Sequence, residues 1–421
     1  MKKLLLVMLL GVVNQTLFAQ NFEISAEIRP RFEYRNAYKT LSVDSLDAAS
    51  FVSQRTRLNL AYGSEKINAY LSIQDVRVWG DVPTLNAADA NGTAIHEAWA
   101  ELLLTPEFSL KLGRQEISYD DQRIFGAVGW AQQARSHDAL LAIYKPNANN
   151  HFEVGLALNA ASETLFETNY TLNNYKSLQY VWYHTNLSSV GISLLALNNG
   201  LAYLKDGKQD VDYNQTFGGH ANFAKNAIST QASAYFQTGK IANQNVQAYK
   251  VSVNGSYSFA NGLKPGLGVE YVSGTDMNAS NSDVKSFNPW YGTNHKFNGW
   301  MDYFYVGNHI NSVGLIDVYA TINYTKDKFS VSLIPHMFSS AATVVNGLNE
   351  EMDSYLGTEV DLSIAYKWTK DVNFEIGYSQ MFATETMEVL KGGNASATNN
   401  WAWAMVTIKP GLFKTSVKKN E

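Results

Sequence analysis

Phe22-Glu23-Ile24-Ser25-Ala26-Glu27-Ile28-Arg29-Pro30-Arg31-Phe32-Glu33-Tyr34-Arg35 alternates apolar and polar side chains without a break. Phe22, Ile24, Ala26, Ile28, Pro30, Phe32 and Tyr34 fall on one face, and Glu23, Ser25, Glu27, Arg29, Arg31, Glu33 and Arg35 on the other. Only a strand sorts residues this way, because successive Cβ atoms point to opposite sides. The same period returns in Ile228, Thr230, Ala232, Ala234 and Phe236, and again in Thr358, Val360, Leu362, Ile364 and Tyr366. Counting such runs predicts about eighteen strands, with sixteen the nearest alternative, each near the ~9–11 residues that a tilted transmembrane strand needs.

The spacing between runs carries independent information. Short connections such as Gly63 to Lys66, Thr105 to Glu107 and Thr325 to Asp327 alternate with long ones at 36–50, 80–94, 116–134, 160–176, 199–212, 274–313, 339–354 and 382–400. The one intermediate case is 239–245. Outer-membrane barrels alternate short periplasmic turns with long extracellular loops, so the reading is all-β: a single closed antiparallel transmembrane β-barrel with both termini in the periplasm. Tyr257, Phe259, Tyr324, Phe329, Trp368 and Phe374 stand at strand ends on the short-turn side, as an interfacial girdle requires.

Composition agrees. The 421 residues are 45% hydrophobic, 13% aromatic and only 17% charged, yet no apolar run after the first twenty positions is long enough for a membrane helix. The absence of Cys excludes disulfides, thiolate metal sites and Cys nucleophiles, and the net charge of −5 argues against nucleic acid as a partner. Lys2 and Lys3 before Leu4 to Val13, closed by Leu17-Phe18-Ala19, read as a signal peptide over 1–19. The barrel is then expected over 20–410, with 411–421 as a periplasmic tail.

All nine Arg lie between Arg29 and Arg135. Arg29, Arg31 and Arg35 on the first strand, Arg55 and Arg57 on the second and Arg77 on the third are expected on the lumen face. Arg77 requires a bulge near Gln74 to reach it. Guanidinium groups on adjacent strands, under ~5 Å apart, would form a ladder along one wall of the pore and suit anionic solutes. Glu23, Glu27, Glu33, Asp75, Glu97 and Glu101 accompany them, so bracing of the barrel by ion pairs is the competing reading. Past Gly113-Arg114-Gln115 the segment to Gly126 loses its alternation. Folded inward, it would narrow the lumen, with Asp120, Asp121 and Arg123 setting charge selectivity; left outside, it is an ordinary solvated loop. The direction of Arg114 is open.

Leu112-Gly113-Arg114-Gln115 with Arg123 and Trp130, the block from Phe287-Asn288-Pro289-Trp290 through His295 to Phe304, and Leu356-Gly357-Thr358-Glu359-Val360-Asp361-Leu362 resemble the alginate-export family of outer-membrane porins. The resemblance covers nearly the whole mature chain. It implies an 18-stranded monomeric barrel with an arginine-rich pore for acidic polysaccharide. This chain departs in concentrating Arg on one wall and in scattering Lys250, Lys264, Glu270, Glu359, Asp361 and Glu375 over the later strands.

The expected function is a passive channel for small hydrophilic or anionic solutes, acidic oligosaccharides among them, seated in outer-membrane lipid, monomeric and without cofactor or metal. Two rivals stand beside it. One is a barrel hydrolase using His309 near Ser312 on lipid or peptide; the other is a plugged, adhesin-like barrel. Asp276, Asn278, Ser280 and Asp283 have the alternation of a calcium loop, but no Gly stands sixth and no Glu twelfth.

Overall fold

The computed structural model describes residues 20–85 and 92–415; the expected signal segment 1–19 lies outside them. The strands follow in chain order: β1 (Asn21–Asn36), β2 (Ala49–Gly63), β3 (Ile67–Val78), β4 (Ala94–Leu103), β5 (Phe108–Gln115), β6 (His137–Asn147), β7 (Asn150–Leu158), β8 (Tyr175–Leu187), β9 (Val190–Lys205), β10 (Lys208–Lys225), β11 (Ile228–Ile241), β12 (Gln244–Tyr257), β13 (Leu263–Val272), β14 (Leu315–Lys326), β15 (Phe329–Ser339), β16 (Tyr355–Lys367), β17 (Val372–Ala383), β18 (Asn399–Ile408) and β19 (Gly411–Lys414). From β1 to β18 each strand pairs antiparallel with its chain neighbours. Pairing of β1 with β18, from Ile28 opposite Ile408 to Asn36 opposite Asn400, closes the ring. Closure satisfies the backbone groups that lipid cannot, and it removes the sheet edge.

The faces divide as the alternation predicts. Ile28 and Phe32 are 42% and 43% exposed on the outer side of β1, while Glu27, Arg29, Arg31 and Glu33 are buried inside. Along the short-turn rim Tyr257 packs on Phe259, Phe329 on Tyr366 and Trp368 on Phe374, with centroids 4.8, 4.7 and 6.3 Å apart. These pairs form part of the interfacial girdle.

Three sequence expectations change. The long connection expected at 199–212 is a hairpin: β9 and β10 continue to a two-residue turn at Asp206-Gly207, both with positive φ (51° and 78°), the geometry that an Asp-Gly pair favours. The intermediate connection at 239–245 likewise shrinks to Ala242-Asn243. At the other end the chain does not leave the sheet at 410. Gly411–Lys414 pairs with Glu23–Ser25 of β1, outside the eighteen-stranded ring, and only 416–421 of the expected tail lies outside the described residues.

The lumen is not empty. The loops 116–136 and 273–314 fold into it, and their buried side chains, among them Phe125, Phe287, Met301, Tyr303 and Phe304, pack against inward wall residues such as Phe338 and Trp401. A short helix, α1 (Glu385–Lys391), capped by the Thr384 hydroxyl accepting from the Met387 N–H, adds to this packing through buried Met387.

Candidate pore constriction

The constriction is built on β1 and β2. Their register sets Arg29 opposite Arg55 and Glu27 opposite Arg57, so four cationic and anionic side chains share one patch of wall. The guanidinium groups do not stand free in a pore. Arg29 donates to the carbonyls of Gly129 (2.7 Å), Trp130 (3.0 Å) and Ala131 (3.3 Å) and to the side-chain oxygen of Gln132. Arg31 donates to Trp130 O (2.7 Å) and lies 4.0 Å over the Trp130 ring. Arg55 reaches the carbonyl of Gln132 at 3.4 Å and Arg57 that of Gln133 at 3.4 Å. A run of loop carbonyls is thus gathered by the ladder, and residues 127–135 become a shelf across the lumen.

Carboxylates interleave with this clasp. Glu27 accepts from Arg55 at 2.6 Å, and Glu33 bridges Arg31 (2.9 Å) and Arg35 (2.8 Å) while accepting from Trp401 Nε1. The ion pairs are those of the bracing reading, and the arginines in addition hold the loop, a role that neither reading assigned. Glu97 and Glu101 also face inward, Glu97 accepting from Trp99 Nε1 and Glu101 from Ser109 and Asn68.

Arg77 is a correction. The β2–β3 register runs unbroken from Ser53–Val78 to Gly63–Asn68, so there is no bulge at Gln74 and Arg77 takes the opposite parity. It pairs with Asp75 at 2.6 Å and touches the outer vestibule at its rim, outside the ladder. The irregularity sits instead on β4, where His96 is the additional residue between Ile95 and Glu97. Arg114 points outward to Asp138 at 2.8 Å.

The inward loop crosses the lumen by polar contacts at both ends. Tyr119 bonds Glu153 and Tyr180 and stacks on Trp182 at 4.5 Å, while Asp120 accepts from Trp182 Nε1 (3.1 Å) and from Ser193. Asp121 parts from Asp120 and lies 3.6 Å from His220. Arg123, wholly buried, reaches the far wall: it bonds Glu270 on β13, which also pairs with Lys250 at 3.1 Å, and Asn298 at 2.9 Å. The three loop residues thus anchor the shelf to separate walls rather than forming one charged ring. Positive φ at Asp120, Gln122, Val128 and Ala134 shows backbone held in a costly region, as functional loops are.

The second loop locks the first by backbone pairing. Gly126 N donates to Tyr291 O, Tyr291 N to Ile124 O and Thr293 N to Gln122 O. This approach needs glycine, since a Cβ on Gly126 would stand 2.2 Å from Thr293 Oγ1 and one on Gly292 2.3 Å from Arg123 O. Arg135, which the alternation did not assign, donates to Gly292 O at 3.1 Å.

Chambers remain on either side of the shelf. An outer vestibule of about 750 Å³ carries, among the described residues, five basic side chains (Arg31, Arg35, Lys39, Arg77, Arg135) and three acidic ones (Glu33, Asp81, Asp302), with Tyr38, Trp130 and Trp290 as aromatic walls. A lower chamber of about 500 Å³ is lined by Glu27, Arg57, Glu97, Glu116 and Lys409. The two share no lining residue; residues of 127–135 contribute to both. A third cavity, about 270 Å³, lies against β12 to β15.

The hydrolase candidate finds no support in geometry. His309 bonds Gly314 O through Nε2 at 2.8 Å and packs on Phe304 and Tyr305, and burial pushes its pKa down to about 3. Ser312 offers its backbone carbonyl to Ser286 and Thr275. In the calcium candidate, Asp276 accepts from Thr343 N and Asp283 from Asn245, so these carboxylates tie loops together.

A closed eighteen-stranded barrel with an apolar belt, a charged lumen and long loops folded inward is the architecture of porin-type proteins of the outer membrane. The alginate export family matches residues 20–402, and the chain belongs to that family. Solved structures share the fold at low identity. OccAB1 of Acinetobacter baumannii has TM-score 0.66 and 10% identity over 93% of this chain and 97% of its own; OccAB4 of the same organism has 0.64 and 11% over 95% and 100%. The outer membrane protein opdK of Pseudomonas aeruginosa has 0.60 and 11% over 93% and 98%. Among curated protein sequences none matches the chain.

Proposed function

We propose that the protein is a passive channel whose outer vestibule collects small anionic solutes, carboxylated sugars foremost, and passes them by the arginine-held shelf. The observation that carries this reading is the excess of basic over acidic side chains among the described residues of the vestibule, four against three once the Arg77–Asp75 pair is set aside, in a cleft with low-dielectric walls that focuses their field. Guanidinium pairs bind carboxylate bidentately, and the faces of Tyr38 and Trp290 offer apolar surface to a sugar ring. Because the shelf separates the vestibule from the lower chamber, the small solute is favoured over the long polymer that the family's name suggests.

The mature chain reconstituted in a planar bilayer tests this. A reversal potential favouring anions in a salt gradient, and current reduced by a monomeric or dimeric uronate but not by a neutral hexose, are expected. Arg35→Ala together with Lys39→Ala should weaken both effects. Cation preference would overturn the anionic reading, and a barrel that carries no current would favour the plugged, structural one.

A further inference from the structure

We propose that His96, Glu97 and Glu116 bind one divalent transition-metal cation of the zinc type at the root of the shelf. Their ligand atoms all lie within 4.8 Å of one another. The juxtaposition is unusual for a barrel wall, where consecutive residues face opposite sides. On β4 the bulge at His96 breaks that rule, since Ser72 pairs with Glu97 and Ile73 with Ile95. The buried imidazole then joins its neighbour Glu97 at the inner face, and bulges re-aim side chains in this manner beside functional sites. Glu116 follows the last residue of β5. Gly113, at φ 117°, lets β5 close on β4, because a Cβ there would meet Ala98 O at 2.3 Å.

Outer hydrogen bonds orient each donor. His96 Nδ1 lies 3.1 Å from Ser136 Oγ, which turns Nε2 toward Glu116 Oε1 at 2.8 Å. Glu97 Oε2 accepts from Trp99 Nε1 at 3.1 Å and from Glu116 N at 3.0 Å. Such supports fix ring and carboxylate direction around metal centres. Ligands of a tetrahedral zinc, at ~2.0–2.2 Å from the ion, stand about 3.3–3.6 Å apart, so small side-chain rotations close the shell. The lower chamber, lined by Glu97 and Glu116, gives access and room for a water as fourth ligand.

One imidazole with two carboxylates suits zinc better than calcium, which takes six to eight oxygens, or copper(I), which prefers sulfur. Arg55, Arg57 and Lys409 line the same chamber and oppose a cation, but Arg55 and Lys409 are paired with Glu27 and Arg57 is held by Gln74 Oε1 and Gln133 O. Affinity in the micromolar range is therefore expected. A bound ion would pin the first residue of the inward loop to β4, fixing the shelf from its root.

The experiment titrates zinc chloride into the metal-stripped mature barrel in detergent, purified without a histidine tag, and reads binding against a chromogenic chelator. One equivalent is expected, weakened at least tenfold in His96→Ala and in Glu116→Gln, with each variant's folding checked by its heat-modifiable mobility in SDS. X-ray absorption at the zinc edge of the unaltered protein should show a single imidazole and oxygen ligands. No saturable binding, equal binding by both folded variants, or a shell with two or more imidazoles would overturn the assignment. Should His96→Ala fail to fold, Glu116→Gln and the absorption spectrum decide alone.

Discussion

Arg29 holds three successive carbonyls and one side-chain amide, while the nearest carboxylate, Glu27, stands 4.0 Å away. Each charge-assisted bond is worth roughly 1.5–3 kcal/mol, and the carbonyls lose their partner together if the side chain is removed. Arg29→Ala should therefore loosen the shelf, raising single-channel conductance about twofold or more and weakening anion preference; bilayer recordings check both. Arg29→Lys keeps the charge but not the fork, so it should preserve selectivity while increasing open-channel noise. At Glu33, which bridges Arg31 and Arg35, Glu33→Gln should shift the reversal potential further toward anions, since it removes one of the three vestibule carboxylates. Parity in the sequence placed Arg29, Arg31, Arg55 and Arg57 on the inner wall, because period two needs no tertiary knowledge. Unbroken parity also puts Arg77 on the opposite face from Gln74, where it lies; the inward expectation failed because it assumed a bulge on β3, and the additional residue is on β4 instead.

Among the elements, the loops differ most from their sequence reading. The β9–β10 connection looked long because residues 199–212 lack a lipid-facing apolar series, yet Asp206-Gly207 was a hairpin signal available in the sequence. Loop 273–314 holds its conformation partly through His309, whose pKa burial has lowered to about 3, with Lys391 nearby adding to the shift. A folded value below the ordinary one means that the opened loop binds the proton more readily. The closed loop's stability is full above ~6.5 and declines as pH falls from there toward 3. Since the chain has no Cys, a Met301→Cys variant offers a buried reporter, and its labelling rate, divided by that of a free thiol at the same pH to remove the thiolate dependence, should rise by up to about tenfold per unit of falling pH across that window. Adding His309→Asn, which tolerates the positive φ, should flatten the dependence. A parallel dependence in both chains would assign the opening to another group.

At the scale of the molecule, the ring is closed by strand pairing alone, without the shelf, through β1 and β18. Replacing residues 118–133 with a short Gly-Ser linker should leave a barrel that still migrates as a folded species in SDS, with conductance raised several-fold and the block by uronate reduced. Collapse of the barrel would show instead that the shelf braces the wall, as the Arg123–Glu270–Lys250 bridge across the lumen allows. What the amino-acid order determined by itself was the barrel: inside and outside follow from alternation, membrane from strand length, and closure from the need to pair every edge in lipid. What only the tertiary structure decided was the bore. Whether Arg29 faces water or a carbonyl depends on where residues 127–135 lie, and that depends on glycine contacts between two loops over 160 positions apart, for which no local periodicity exists.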